Sequence, residues 1–143
     1  MMLKTKTALV TGARGFIGRY VAKHLSENGW YVIGIGHGDW INTQEQKEWG
    51  VSDWYNSNLT VDILRDIKYP LDSIIHCAGS ASVAYSFQNP LQDFENGALS
   101  LMNVLEYARL FSRPKIIVLS SAAVYGNDEP PPPPLAAAVI LPY

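Results

Sequence analysis

The residues near the amino terminus best suited to chemistry are Thr11-Gly12-Ala13-Arg14-Gly15-Phe16-Ile17-Gly18. Three glycines stand three residues apart, between an apolar run of strand length and a segment of helical spacing. Gly12 permits a tight turn, and Gly15 lets the backbone approach a ligand with no Cβ in the way. Gly18 allows close packing of a helix on a sheet. Free amides at the helix start then face an anion, aided by the helix dipole. A glycine-rich turn alone is weak evidence, and a plain structural turn is the competing reading. Here the strand before and the helix after supply the context that binding of a dinucleotide pyrophosphate requires. Residues 12–18, with Ala13, Arg14, Phe16 and Ile17 among them, are therefore the candidate cofactor loop.

The elements that must position this loop follow from hydrophobic patterning. Apolar runs of strand length alternate with longer segments of period 3.6, which argues for βαβ units and a parallel sheet. Strands are expected over 5–11, 30–36, 51–59, 71–78 and 115–120. Helices are expected over 15–28, 42–49 and 61–67, and a long one over 90–111 opens at Pro90. That long helix carries an apolar stripe of Phe94, Ala98, Leu101, Met102, Leu105 and Ala108. Right-handed crossovers favour the strand order 3-2-1-4-5 of a Rossmann-type, doubly wound α/β sheet, ending here after its fifth strand. The expected division is a dinucleotide-binding domain over 1–126. A Pro-rich loop, 127–143, follows it and contains five consecutive prolines at 130–134.

Composition narrows the class. With 48% hydrophobic and 17% charged residues, the 143-residue chain suits a compact globular domain. A net charge of −2 gives no reason to expect nucleic acid or an anionic membrane as partner. The lone cysteine, Cys77, excludes an internal disulfide and fits a reducing, cytoplasmic setting. No run approaches the roughly 20 apolar residues of a membrane span. No His, Cys, Asp or Glu group has metal-ligand spacing, so no metal is expected.

The Thr-Gly-x-x-Gly-x-x-Gly spacing resembles the short-chain dehydrogenase/reductase superfamily. Three further segments resemble its extended branch of nucleotide-sugar epimerases, dehydratases and reductases. They are Ile74-Ile75-His76-Cys77-Ala78-Gly79, the stretch from Asn89-Pro90 to Asn103-Val104-Leu105-Glu106, and Ser120-Ser121-Ala122-Ala123-Val124-Tyr125-Gly126. The resemblance implies a catalytic hydroxyl at Ser121, three residues before Val124. It also implies a catalytic tyrosine at Tyr143, within Leu141-Pro142-Tyr143, with the customary lysine four residues beyond; a terminal aromatic is the alternative for Tyr143. Such a lysine lowers the phenol's pKa so that it acts as a base near neutral pH. Ala78 and Gly79 fall at the family's fourth-strand end, and Asn58-Leu59 at its adenine contact.

Two departures bear on the cofactor. Where many NAD-using members end the second strand with an acid for the ribose hydroxyls, this chain has Gly36, followed by His37, Gly38 and Asp39. Losing that carboxylate removes the repulsion against a 2′-phosphate, so NAD or NADP is the expected cofactor. Asp39 could instead reach the ribose through a reshaped loop. In the long helix, the family asparagine aligns with Gly97, one residue past Asn96. His76 is expected to be a structural hydrogen-bonder, and Cys77 a small buried side chain.

The resemblance implies hydride chemistry on a nucleotide sugar. Ala122 and Ala123 stand where the 4,6-dehydratases carry proton-transferring acids, which tilts the reading toward an epimerase that oxidises one sugar carbon transiently. A nucleotide-sugar reductase or dehydratase, or a non-catalytic NAD(P)-binding sensor, is the alternative. The helix over 90–111 often pairs with its copy in this family, so a homodimer is expected through it.

Overall fold

The computed structural model describes residues 5–80 and 82–121. The segments 122–126 and 127–143, with Val124, Tyr125, the proline run and Tyr143, lie outside the described residues, as do Ala122 and Ala123. Five strands, β1 (Thr7–Thr11), β2 (Tyr31–Gly36), β3 (Asp53–Asn56), β4 (Ser73–His76) and β5 (Lys115–Val118), form one parallel sheet in the order β3-β2-β1-β4-β5. This is the expected doubly wound order. β3 is much shorter than the 51–59 expected: Ser57 N–H donates to the Gly36 carbonyl, after which pairing stops at the end of β2.

Strand alternation sends side chains to two separate cores. Leu9, Ile33, Ile35, Ile74 and Ile116 face one side, with Leu64 of α3 (Val61–Arg65) and Val104, Tyr107 and Ala108 of α6 (Ser100–Leu110). Ala8, Val10, Val32 and Ile75 face the other, with Ala13, with Ala22 of α1 (Phe16–Glu27), and with Trp40 and Val51 flanking α2 (Thr43–Glu48). Apolar residues on both faces of each central strand are what a sheet covered on both sides requires. The chain reverses direction of winding between β1 and β4, which opens a crevice beyond their carboxyl ends.

Two expectations about the carboxyl half need correction. A short helix, α4 (Val83–Gln88), precedes the long one, capped by Ser82, whose Oγ accepts from the Tyr85 amide at 3.2 Å. The long helix itself is α5 (Pro90–Phe94), a π-helical turn over Glu95–Leu99, and α6. Its buried positions are Ser100, Val104, Tyr107 and Ala108, whereas Phe94 and Met102 of the expected stripe are more than half exposed. The wide π turn inserts a residue, and the helical phase before it does not continue after it.

Candidate active site

The glycine loop is shaped as its residue types demand. Gly12 has φ +65°, and its amide donates to the Ile35 carbonyl at 2.7 Å, tying the loop to β2. The Gly15 amide closes the turn on the Gly12 carbonyl at 2.8 Å. A Cβ on Gly18 would overlap that same carbonyl, so α1 reaches the sheet only with glycine there. Ala13 is fully buried in the core. The side chains of Phe16 and Ile17 point to solvent, so the backbone of these residues is what they bring to the site. Gly15 caps α1 with no side-chain hydrogen bond, the first turn holds no acid, and no hydrogen bond among the described residues engages the amides of Phe16, Ile17 and Gly18. Uncapped, unpaired amides at the positive end of a 12-residue helix fit a pyrophosphate.

Beyond this loop lies a cleft of about 390 Å³. It gathers Gly12, Gly15, Gly36, His37, Asn58, Leu59, Ala78 and Gly79 from four segments that the chain separates by up to 67 residues. Arg14 does not line it; its guanidinium rests over Gly38 at the edge beside His37. The Arg14 carbonyl accepts from Arg19 Nη2 at 2.7 Å. Asp39, the alternative ribose acid, is turned elsewhere: its carboxylate accepts from Asn56 Nδ2 at 2.8 Å, while Asn56 Oδ1 accepts from the Gly38 amide at 3.1 Å. Asp39 is absent from the cleft wall.

The far wall escaped sequence reasoning. Gln92, Asn96, Leu99, Ser100 and Asn103 line it from the long helix, and Asn103 Nδ2 donates to the Leu59 carbonyl at 2.9 Å, holding the Asn58-Leu59 segment in place. Asn96 therefore faces the cleft although Gly97 replaces the family asparagine; Gly97 falls on a neighbouring cleft of about 480 Å³. The missed signal was the polar spacing 92, 96, 103 on a helix judged by its apolar residues. Cys77 is half-buried and also lines the first cleft, and burial pushes its thiol up to about 11, which leaves it protonated and unreactive.

His76 ties the site together. Thr11 Oγ1 accepts from the Cys77 and Ala78 amides at 3.1 and 3.0 Å, so both its lone pairs are used. Its proton must then go to His76 Nδ1, 2.9 Å away, which leaves the histidine hydrogen on Nε2. That group points at Ser100 Oγ, 3.4 Å away, whose own proton serves the Asn96 or Gly97 carbonyl of the π turn. A linked set of bonds thus joins β1, β4 and the long helix around a neutral imidazole, and burial lowers its pKa.

The unfolded chain binds a proton at this histidine near pH 6.5, where the folded chain still resists it. Stability is therefore full above about pH 6.5 and falls as pH drops below it. We expect a His76→Asn variant to be less stable by about 1–3 kcal/mol at neutral pH and to lose part of this pH slope. Denaturant titrations between about pH 5.5 and 7.5 check this; equal slopes in both proteins would refute it.

Ser121 stands three residues past β5, on the edge where the glycine loop also opens. Strand pairing continues toward it, since the Leu119 amide donates to the His76 carbonyl at 3.2 Å. The second cleft, lined by His76, Ala78, Gly79, Val118 and Leu119, opens on the same edge. Tyr143 lies outside the described residues. Among the described residues, no helix is long and apolar enough to cross a membrane.

Residues 8–139 match the model of the NAD dependent epimerase/dehydratase family. The chain is 31% identical over 135 residues to UDP-glucose 4-epimerase of Pisum sativum, covering 85% of this chain and 38% of that protein. It is 28% identical over 124 residues to UDP-glucuronate 4-epimerase of Thermodesulfobacterium geofontis, covering 79% and 38%. Among solved structures it resembles UDP-glucose 4-epimerase from Bifidobacterium longum in complex with NAD+ and UDP, with a TM-score of 0.75 and 27% identity over 85% of this chain and 38% of that one. The enzyme from Brucella ovis in complex with NAD gives a TM-score of 0.70 at 29% identity, over 85% and 38%. The chain thus spans less than half the length of these relatives.

Proposed function

Because the chain belongs to the NAD-dependent epimerase/dehydratase family, we propose that it is the dinucleotide-binding part of a nucleotide-sugar epimerase that acts by transient oxidation of a sugar carbon. The observation that carries this reading is the cleft at the switch point between β1 and β4, where Gly15, the cap of α1, lines one wall together with Gly12, Gly36, Asn58 and Ala78. The amides of Phe16, Ile17 and Gly18 would hold the pyrophosphate, Gly36 and His37 would border the adenosine ribose, and Asn58 and Leu59 would meet the adenine. Ala78 and Gly79 line the path toward the nicotinamide. When bound, the dinucleotide supplies reversible hydride acceptance. Ser121 would donate a hydrogen bond to the sugar oxygen, and Tyr143, ionised to the phenolate, would take that oxygen's proton and become the phenol, which makes the carbon a hydride donor. Ala122 and Ala123 cannot eliminate water, and the relatives named above are 4-epimerases. A UDP-sugar is the expected substrate, and the half-exposed thiol of a single-cysteine chain fits a cytoplasmic enzyme.

The test uses the natural full-length protein with UDP-glucose and UDP-glucuronate in deuterated water. Formation of the epimer with the original hydrogen retained on carbon is expected. Deuterium uptake at that carbon, or no epimer from any UDP-sugar offered, would overturn the proposal.

We also propose a homodimer through the long helix. Leu91, Phe94 and Met102 lie on it and are each more than half exposed, apolar surface that a copy would cover. Sedimentation velocity is expected to show a dimer that Phe94→Glu with Met102→Glu dissociates. A monomer at every concentration would refute pairing.

A further inference from the structure

We infer that His76 is a positioning residue for the dinucleotide, acting through Thr11. Only as the neutral Nε2–H tautomer does it let Thr11 hold the Cys77-Ala78 backbone against the glycine loop, so that dinucleotide binding and protonation of His76 oppose each other. The inference rests on the dinucleotide reading above and adds a proton to it.

Thr11 ends β1, and Gly12 opens the glycine loop one residue later. The Thr11 side chain is fully buried, and three groups share its hydroxyl. Thr11 Oγ1 accepts from the Cys77 amide at 3.1 Å and the Ala78 amide at 3.0 Å, and it donates to His76 Nδ1 at 2.9 Å. The Cys77 amide has a second acceptor in the Thr11 carbonyl at 3.3 Å. The Ala78 amide has only the hydroxyl among the described residues. Ala78 in turn lies directly against the loop: a Cβ on Gly12 would stand 3.0 Å from the Ala78 nitrogen and Cα. Ala78 lines both clefts, Gly12 the first and His76 the second. One hydroxyl thus fixes the floor between the glycine loop and the end of β4.

A second proton on the imidazole finds no acceptor. Nδ1–H would point at an oxygen whose two lone pairs serve amides, so the hydroxyl must turn its own proton toward one of those amides. That amide loses its bond, and the Cys77-Ala78 segment has to move off Thr11. The other ring nitrogen offers no relief. Nε2–H faces Ser100 Oγ at 3.4 Å in either state, and that hydroxyl already serves the Asn96 or Gly97 carbonyl. No counter-charge stands by either. β5 sets Val118 opposite His76 and Leu119 beside it, and the ionisable groups on the surrounding walls are Cys77, Asp93 and Glu95. Among the described residues neither carboxylate bonds to the ring: Glu95 accepts from Gln92 Nε2 at 3.1 Å. The ring is 4% exposed, and burial alone already disfavours its charge. A dinucleotide that needs the ordered floor therefore binds the neutral form, and by reciprocity it weakens the hold of His76 on a second proton.

The test pairs NMR of labelled histidines with calorimetry, both on the natural full-length protein with NAD+. At about pH 7.5 the free protein should show His76 as the Nε2–H tautomer, and NAD+ should lower the pH at which the ring takes up its second proton. Between about pH 7.5 and pH 5, the parent should lose NAD+ affinity by about fivefold or more beyond any loss in His76→Asn, whose amide oxygen accepts from Thr11 at every pH. His37 also lines the first cleft, but both proteins carry it, so their difference isolates His76. Thr11→Val should weaken NAD+ at neutral pH and abolish the linkage, and Thr11→Ser should keep both near the parent's values. An Nδ1–H tautomer, a His76 titration that NAD+ does not move, or equal pH dependence in the parent and His76→Asn would overturn the inference while leaving the dinucleotide site intact. The NMR titration uses the parent alone, so it decides the matter even where His76→Asn does not fold. Failure of NAD+ to bind the parent at any pH would overturn the dinucleotide reading itself.

Discussion

A Gly15→Leu variant is expected to fold and to lose dinucleotide binding by about a hundredfold or more. Gly15 sits at φ −72° and ψ 174°, extended backbone that leucine adopts without strain, and it is exposed, so the chain has room for the new side chain. The only close neighbour of its Cβ would be the Gly12 carbonyl at 3.1 Å, a contact that a small shift relieves. The side chain, however, would stand on the wall of the cleft, over the amides that start α1. Each charge-assisted bond from amide to phosphate contributes about 1.5–3 kcal/mol, so displacing the pyrophosphate from two of them accounts for the loss. Calorimetry with both dinucleotides, beside a thermal melt, reads the two effects separately. Unchanged affinity in a folded variant would place the pyrophosphate elsewhere. Gly18→Ala gives the contrast: its Cβ would collide with the Gly12 backbone, so that variant should lose stability rather than ligand contacts alone.

The second large effect is expected at Ser121. Ligands of open α/β sheets bind beyond the carboxyl ends of the strands, and Ser121 follows β5 on that edge. On the proposed mechanism, a hydroxyl there would donate to the reacting sugar oxygen and accept from Tyr143 once that residue holds the proton. If the full-length protein is the epimerase proposed, Ser121→Ala should cost about 2–3 kcal/mol of transition-state stabilisation, roughly a hundredfold in turnover. Dinucleotide affinity should hardly move, because the proposed phosphate site lies on the other loop. Steady-state rates measured in parallel with cofactor affinity decide the matter. A rate within a few-fold of the parent would demote Ser121 to a structural serine.

Much of the site was legible before any tertiary contact was known. The loop over 12–18 was readable because positive φ at Gly12 and the bare face of Gly18 are properties of single residues in a strand–turn–helix context. The strand order was readable because doubly covered strands are apolar throughout and crossovers have one hand. Gly36, His37, Asn58, Leu59, Ala78 and Gly79 came from the family resemblance; they line the cleft because each ends or follows a strand, and parallel strands deliver their carboxyl ends to one edge.

What only the tertiary structure decided depends on partners distant in sequence or on a change of helical phase. The π turn over Glu95–Leu99 shifted which residues of the long helix meet the sheet, and no single-period count across residues 90–111 anticipates that. It also brought Asn96 and Asn103 to the cleft and gave His76 a partner in Ser100, 24 residues away. The tautomer of His76 follows from a hydroxyl 65 residues earlier, its neutral state from burial, and the fate of Asp39 from an asparagine on the neighbouring strand. Arg14 read as one more residue of a phosphate loop until Gly38 was seen to make room for its guanidinium. Residue type and spacing determined the backbone frame, because those forces act within a turn or a strand. Packing across the sheet decided where charges and protons reside, because it alone selects which polar groups meet.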